Sequence, residues 1–163
     1  MTQSSFEFSY NIIPDLKGLE TDDALLLEAA GNATKSAYAP YSNFRVGVAV
    51  LLSNGQIVTG SNQENASFPA GICAERVTLS AASAAFPGNA IIALALTYIN
   101  ETGNGNHPIS PCGLCRQTLA EYEVRFNQPI RLILGGQSGE IFILNRATDL
   151  LPFAFSSQEL KTH

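Results

Sequence analysis

Ile91-Ile92-Ala93-Leu94-Ala95-Leu96-Thr97-Tyr98-Ile99 is almost unbroken apolar sequence. A strand with one wet face alternates polar and apolar residues, whereas one covered on both faces reads as a continuous apolar run. The stretch therefore predicts a central strand with layers above and below it. Outward from it, Pro87-Gly88 closes an Ala/Leu/Ser-rich helix over Cys73 to Ala85, and the Gly/Asn-rich loop from Asn100 to Pro108 leads to a second helix over Cys112 to Phe126. Further out are strands at Pro129 to Leu134 and Glu140 to Leu144, with Gly135-Gly136 between them. Upstream, Arg45 to Leu52 and Gln56 to Gly60 flank Ser53-Asn54-Gly55, a hairpin signal because Asn-Gly accepts positive φ. Thr21 reads as the N-cap of a helix from Asp22 to Tyr38, with Asp22 and Asp23 favoured in its first turn by the helix dipole.

The order helix, hairpin, helix, strand, helix, strand, strand gives a three-layer α/β fold: a mixed five-stranded sheet with helices on both faces. The chain has 163 residues, suited to one compact unit. We expect one domain over residues 21–163. Residues 1–20 form an N-terminal arm whose alternation (Phe6, Phe8, Tyr10), broken at Pro14, suits an edge strand or a loose arm. Asp149 to Phe155 is a short apolar tail.

Net charge is −5 and pI about 4.9, which argues against a nucleic-acid partner, since phosphate binding is driven by basic side chains. No run approaches the roughly 18–20 apolar residues of a membrane span. No basic-then-apolar leader precedes Glu7, so a cytoplasmic protein is expected. Three cysteines do not suit a disulfide framework, and in a reducing compartment clustered thiols are more often ligands or catalytic groups.

All three cysteines stand at predicted helix starts, in Cys73-Ala74-Glu75 and in Pro111-Cys112-Gly113-Leu114-Cys115. Helix N-termini stabilise thiolates. Cys112 and Cys115, three apart, share a helix face. Three protein ligands leave a fourth zinc position open for water, as in catalytic rather than structural sites. Zinc then makes hydroxide available near neutral pH. Glu75, two residues beyond Cys73, is placed to move the water's proton. Three thiolates leave zinc with net charge −1, so compensation is needed. Arg76 is the preferred source and Arg116 the alternative, since it could instead serve the fold. A lone Cys-x-x-Cys could also be a redox pair or half a zinc ribbon, although a ribbon needs a second pair. His107 could close the site as a fourth ligand. A Glu after Cys is ordinarily a helix N-terminal acid.

Longer motifs run in order through the chain: Ala37-Tyr38-Ala39-Pro40-Tyr41-Ser42-Asn43-Phe44, Val46-Gly47, Asn62-Gln63-Glu64-Asn65-Ala66-Ser67-Phe68, Cys73-Ala74-Glu75-Arg76, Ser110-Pro111-Cys112-Gly113-Leu114-Cys115-Arg116-Gln117 and Leu150-Leu151-Pro152-Phe153-Ala154-Phe155. In these motifs the sequence resembles the cytidine deaminase family, in its small, all-cysteine, homotetrameric form, over roughly residues 22 to 155. The resemblance implies one Zn²⁺ per subunit and a conserved non-ligand Glu as acid/base, a mechanism described for zinc deaminases generally. It also implies that Phe44, Asn62, Glu64, Ala74 and Phe155 contact the nucleoside. Asn62 and Glu64 would hold the ribose, Phe44 would line the base pocket, and Phe155 would reach a neighbouring subunit's site. Read alone, Asn62 and Glu64 are a polar loop and Phe155 is packing. Arg45, the long Asn100 to Pro108 loop and the arm depart from the pattern.

The expected activity is hydrolytic deamination of cytidine and deoxycytidine to uridine and deoxyuridine plus ammonia, in pyrimidine salvage. The expected partners are a small nucleoside and three further copies of the chain, with neither nucleic acid nor membrane. Other readings are a deaminase of a related aminopyrimidine nucleoside such as a nucleoside antibiotic, a polynucleotide-editing deaminase, and a non-catalytic zinc-stabilised binding module.

Overall fold

Six strands form one mixed sheet in the computed structural model: β1 (Asn11–Ile13), β2 (Phe44–Leu52), β3 (Ile57–Ser61), β4 (Ile91–Asn100), β5 (Arg131–Leu134) and β6 (Ile141–Leu144), in the order β1-β6-β5-β4-β2-β3. The structure describes residues 1–103, 105–157, 159 and 160. Asn104 of the long loop and residues 158 and 161–163 at the end of the expected domain lie outside the described residues. Among these six strands, only β4 and β5 pair in parallel. Among the described residues, three α-helices accompany the sheet: α1 (Thr21–Ala33), α2 (Ala74–Ala85) and α3 (Gly113–Phe126).

The apolar run of β4 is explained by its two covers. Leu94 and Leu96 point into one cluster with Val48, Val50, Leu79, Leu119, Leu132 and Leu134, beneath α2 and α3. Ala93 and Ala95 point the other way, joining Leu26, Leu27 and Ala30 of α1 with Ala49 and Ile133. The result is α1, the sheet, then α2 with α3, the three-layer arrangement expected. Among the described residues, no helix is long and apolar enough to cross a membrane.

Several details differ from expectation. The sheet has six strands rather than five, because the arm supplies β1 as an antiparallel edge beside β6 (Ile12 opposite Phe142). Thr21 is the first helical residue; Glu20 occupies the N-cap, without a side-chain cap bond. The α-helix ends at Ala33, and a 3-10 turn over Thr34–Ser36 completes the run towards Tyr38. In the hairpin only Gly55 takes positive φ (82°). Leu52 N–H donates to Gln56 C=O at 2.9 Å, so Ser53, Asn54 and Gly55 form the three-residue connection expected between the strands, with Gly alone in the left-handed position.

Candidate metal centre

The sheet face under α2 and α3 carries the thiols. Cys73 is the N-cap of α2 and Cys112 the N-cap of α3, both extended (φ −67°) and without side-chain cap bonds. Cys115 lies in the first turn of α3, fully buried. Two helix N-termini thus converge on one point. Cys73 Sγ stands 3.8 Å from Cys112 Sγ, and Cys112 Sγ 3.5 Å from Cys115 Sγ. The three ligand atoms all lie within 4.8 Å of one another. Sulfurs bound at about 2.3 Å to one tetrahedral zinc stand roughly 3.8 Å apart. The trio therefore fits a zinc ion in both chemistry and spacing. Cys112 is exposed and Cys73 half-buried, so the cluster opens to one side. His107 is absent from the cluster among the described residues, and its ring lies instead against Tyr98.

Crowding splits the thiols. A hydrogen bond from Cys115 holds the Cys73 thiol down to about 6, against burial and the Glu75 carboxyl; Cys112 and the charge of Arg76 also lower it. Cys115 is pushed up by donating to Cys73 and by burial. Glu75, 5% exposed, is raised above the usual carboxyl range by burial, opposed by its own backbone N–H and by Cys115. A carboxyl one residue into α2 is thus buried beside the thiols rather than in solvent, where a helix N-terminal acid ordinarily sits.

Arg76 is half-buried and near enough to Cys73 to act on it electrostatically. Arg116 is committed elsewhere. Its Nε donates to Pro111 C=O (2.8 Å) and its Nη1 to Leu150 C=O (3.1 Å), tying the loop before Cys112 to the C-terminal segment.

The segment 62–64 runs as an extended bridge. Gln63 exchanges both backbone bonds with Ile72, next to Cys73 (2.9 Å each), while Tyr38 N–H donates to Asn62 C=O and Glu64 N–H to Tyr38 C=O. Asn62 turns its side chain to β2: Oδ1 accepts from Val46 N–H (2.8 Å) and Nδ2 donates to Phe44 C=O (2.9 Å). Glu64 accepts from the N–H groups of Tyr41 (2.9 Å) and Ser42 (3.4 Å) and from the Ser42 hydroxyl. The Ser42 hydroxyl also accepts from Phe44 N–H (3.1 Å). Asn62, Glu64 and Ser42 therefore hold the turn that presents Phe44. Their neighbours Tyr41 and Phe68 line a cleft of about 340 Å³ together with Glu64. A larger cleft of about 1020 Å³ lies against α1; it contains none of the thiols, so size does not locate the chemistry.

Ala74 is wholly buried behind Cys73. Phe155 is 60% exposed, its carbonyl accepting from Gln117 Nε2 at 2.7 Å. The thiols, Ala74, Glu75 and Arg76 gather at the helix starts. Phe44, Asn62 and Glu64 are linked to one another through the turn at residues 41–44, the segment 62–64 reaches the thiols through the Gln63–Ile72 pairing beside Cys73, and Phe155 lies exposed on the tail. Sequence reading overlooked the anchoring by Ser42 and Gln117, although both lie within quoted motifs.

Residues 20–127 match the family model described as the cytidine and deoxycytidylate deaminase zinc-binding region. A cytidine deaminase of Halalkalibacterium halodurans is 34% identical over 139 residues, covering 85% of this chain and 98% of that protein. Among solved structures, a cytidine deaminase from Burkholderia pseudomallei is 40% identical with a TM-score of 0.69, covering 80% of this chain and 97% of that one. One from Mycobacterium tuberculosis is 34% identical with a TM-score of 0.65, covering 83% and 98%. With three thiols at zinc spacing inside the matched region, the chain belongs to the cytidine and deoxycytidylate deaminase family.

Proposed function

We propose that the chain is a zinc-dependent hydrolase that deaminates cytidine and deoxycytidine to uridine and deoxyuridine, releasing ammonia. The observation that carries this is the thiol trio with a buried carboxyl, Glu75, beside it. Cys73, Cys112 and Cys115 would hold the ion. Zinc held there supplies a water whose proton is easily removed near neutral pH. Glu75 takes that proton and delivers it to N3 of the pyrimidine as the water oxygen bonds to C4, then carries the remaining proton from the new C4 hydroxyl to the amino nitrogen, so that the C4–N bond breaks, ammonia leaves and the C4=O of the product forms. Its burial keeps the carboxyl out of bulk water and raises its affinity for the proton above that of a free carboxyl.

Asn62 and Glu64 recognise the ribose hydroxyls, Phe44 and Ala74 bound the base, and Arg76 offsets the thiolate charge. The proposal for Arg76 is supported by its action on Cys73 and by the prior commitment of Arg116. Phe155, exposed on a tail pinned by Gln117, suits contact with a neighbouring copy in a homotetramer with shared sites. Three free thiols suit the reducing cytoplasm, where the reaction would serve pyrimidine salvage.

The test is incubation with cytidine while following the ultraviolet change to uridine, with zinc content measured in parallel. Glu75→Gln is expected to keep its zinc and lose roughly 10²- to 10⁴-fold in turnover. Near-wild-type turnover with zinc retained overturns the proton-carrier role.

A further inference from the structure

We infer that Tyr98 is a positioning residue for Phe44, fixing the wall against which the pyrimidine base is held; this rests on the reading of Phe44 as that wall. Tyr98 is 2% exposed. It lies on β4 opposite Val46 in the ladder, on the same face as the thiols, since Leu94 and Leu96 of that strand pack beneath α2 and α3. Its ring is stacked on Phe44, with centroids 4.8 Å apart and planes at 21°. Its hydroxyl donates to the His107 carbonyl at 3.1 Å, and the His107 ring meets it edge-on at 6.3 Å.

These contacts join parts of the site that are distant in sequence. A buried tyrosine hydroxyl needs a partner, and here the partner belongs to the loop running from β4 to Cys112. Phe44 is held through its backbone by Ser42 and Asn62, but backbone bonds leave a phenylalanine ring free to turn about its side-chain torsions. A buried, hydrogen-bonded ring stacked on it removes that freedom. Tyr98 therefore relates the base wall to the metal-ligand loop through one rigid side chain. It acts on substrate only through Phe44.

The experiment uses the zinc-loaded protein. Tyr98→Leu is expected to raise KM for cytidine roughly three- to tenfold, the range an aromatic pair supplies. Zinc content stays at wild type and kcat within about twofold of it. Tyr98→Phe keeps the ring and returns KM to within about twofold of wild type. Tyr98→Met, which keeps the volume without a ring, must show the same rise and replaces the leucine variant if that variant misfolds. On a Phe44→Ala background, Tyr98→Leu adds nothing further to KM, because the ring it positions is gone. An unchanged KM in folded, zinc-loaded Tyr98→Leu or Tyr98→Met, or a full additional rise on Phe44→Ala, overturns the role. An unchanged KM in Phe44→Ala alone overturns the reading of Phe44, and the role of Tyr98 with it.

Discussion

The two faces of the sheet are built differently. The α1 face mixes leucines and isoleucines with small residues at close approach, Ala30, Ala49, Ala93 and Ala95, and has Gly47 under the helix. A Cβ at Gly47 would sit 2.0 Å from the Ala30 carbonyl oxygen. The other face is filled by leucines and valines, and its helices begin at the thiols. The α1 face buries one carboxylate, Asp23, and the other side buries two, Glu75 and Glu123, the latter 3.8 Å from Arg146 and accepting from backbone N–H groups. On the α1 side, Asp23 pairs with Arg131, leaving one oxygen without a partner. On the other side, Glu75 has no ion pair among the described residues and sits among thiols that compete for negative charge. A buried charge tied to a cation serves packing. One held among ionisable groups that a metal would neutralise fits the proton-carrying role proposed for Glu75.

Removing the metal should separate the faces most sharply. Cys112→Ala is expected to bring zinc from one ion per chain to near none and to abolish cytidine turnover, because affinity and folding are coupled at such sites. Amide hydrogen exchange should show the first turns of α2 and α3 losing protection while α1 keeps it. Equal loss across all three helices would erase the distinction between a metal-dependent and a metal-independent face.

The converse change is Gly47→Ala. The added methyl meets backbone on both sides, the Ala30 carbonyl oxygen at 2.0 Å and Thr34 N at 2.8 Å, so α1 must lift. Overpacking of this kind costs about 3 kcal/mol or more. Denaturant unfolding should report that loss while zinc content and turnover per folded molecule stay at wild type. A fall in turnover larger than the folded fraction explains would couple the α1 face to the reaction.

A smaller effect is expected at Arg76. Arg76→Gln should keep zinc and lower turnover roughly tenfold, the scale of groups that tune a metal through its ligands. Unchanged kinetics would leave the two helix N-termini as the whole of the charge compensation.

Much of this division is legible in the chain. The continuous apolar run of β4 calls for two covers, and its alternation of Leu94 and Leu96 with Ala93 and Ala95 already separates a roomy face from a tight one. The thiols announce themselves through Cys-x-x-Cys and two helix starts. What stays hidden is long-range pairing. Asp23 meets Arg131 across 108 positions, and the arm finds β6 from the opposite end of the chain; local periodicity carries no information about either. Tyr98 is masked by its strand, since in a fully apolar run one aromatic gives no sign that it will stack on Phe44. Asn62 and Glu64 read as a polar loop, because their backbone partners lie at 41 to 46 and exist only once β2 and β3 pair.

Glu64 supplies the finest test, since it is neither buried with a cation like Asp23 nor buried among thiols like Glu75. It is a half-buried carboxylate held by donors alone. The Ser42 hydroxyl and then the N–H groups of Tyr41 and Ser42 bring it below the usual 4.5. A depressed carboxylate contributes its full anchoring above the ordinary value and loses it as pH falls through the lower, folded-state value. The Tyr41 and Ser42 amide resonances should therefore titrate with a midpoint below 4.5, and Glu64→Gln should remove that titration. The effect on KM near neutral pH should be confined to the ribose contact proposed for Glu64. A midpoint at or above the ordinary value would mean that the donors do not prefer the ionised form. The turn presenting Phe44 would then rest on Asn62 and the Tyr98 stack instead.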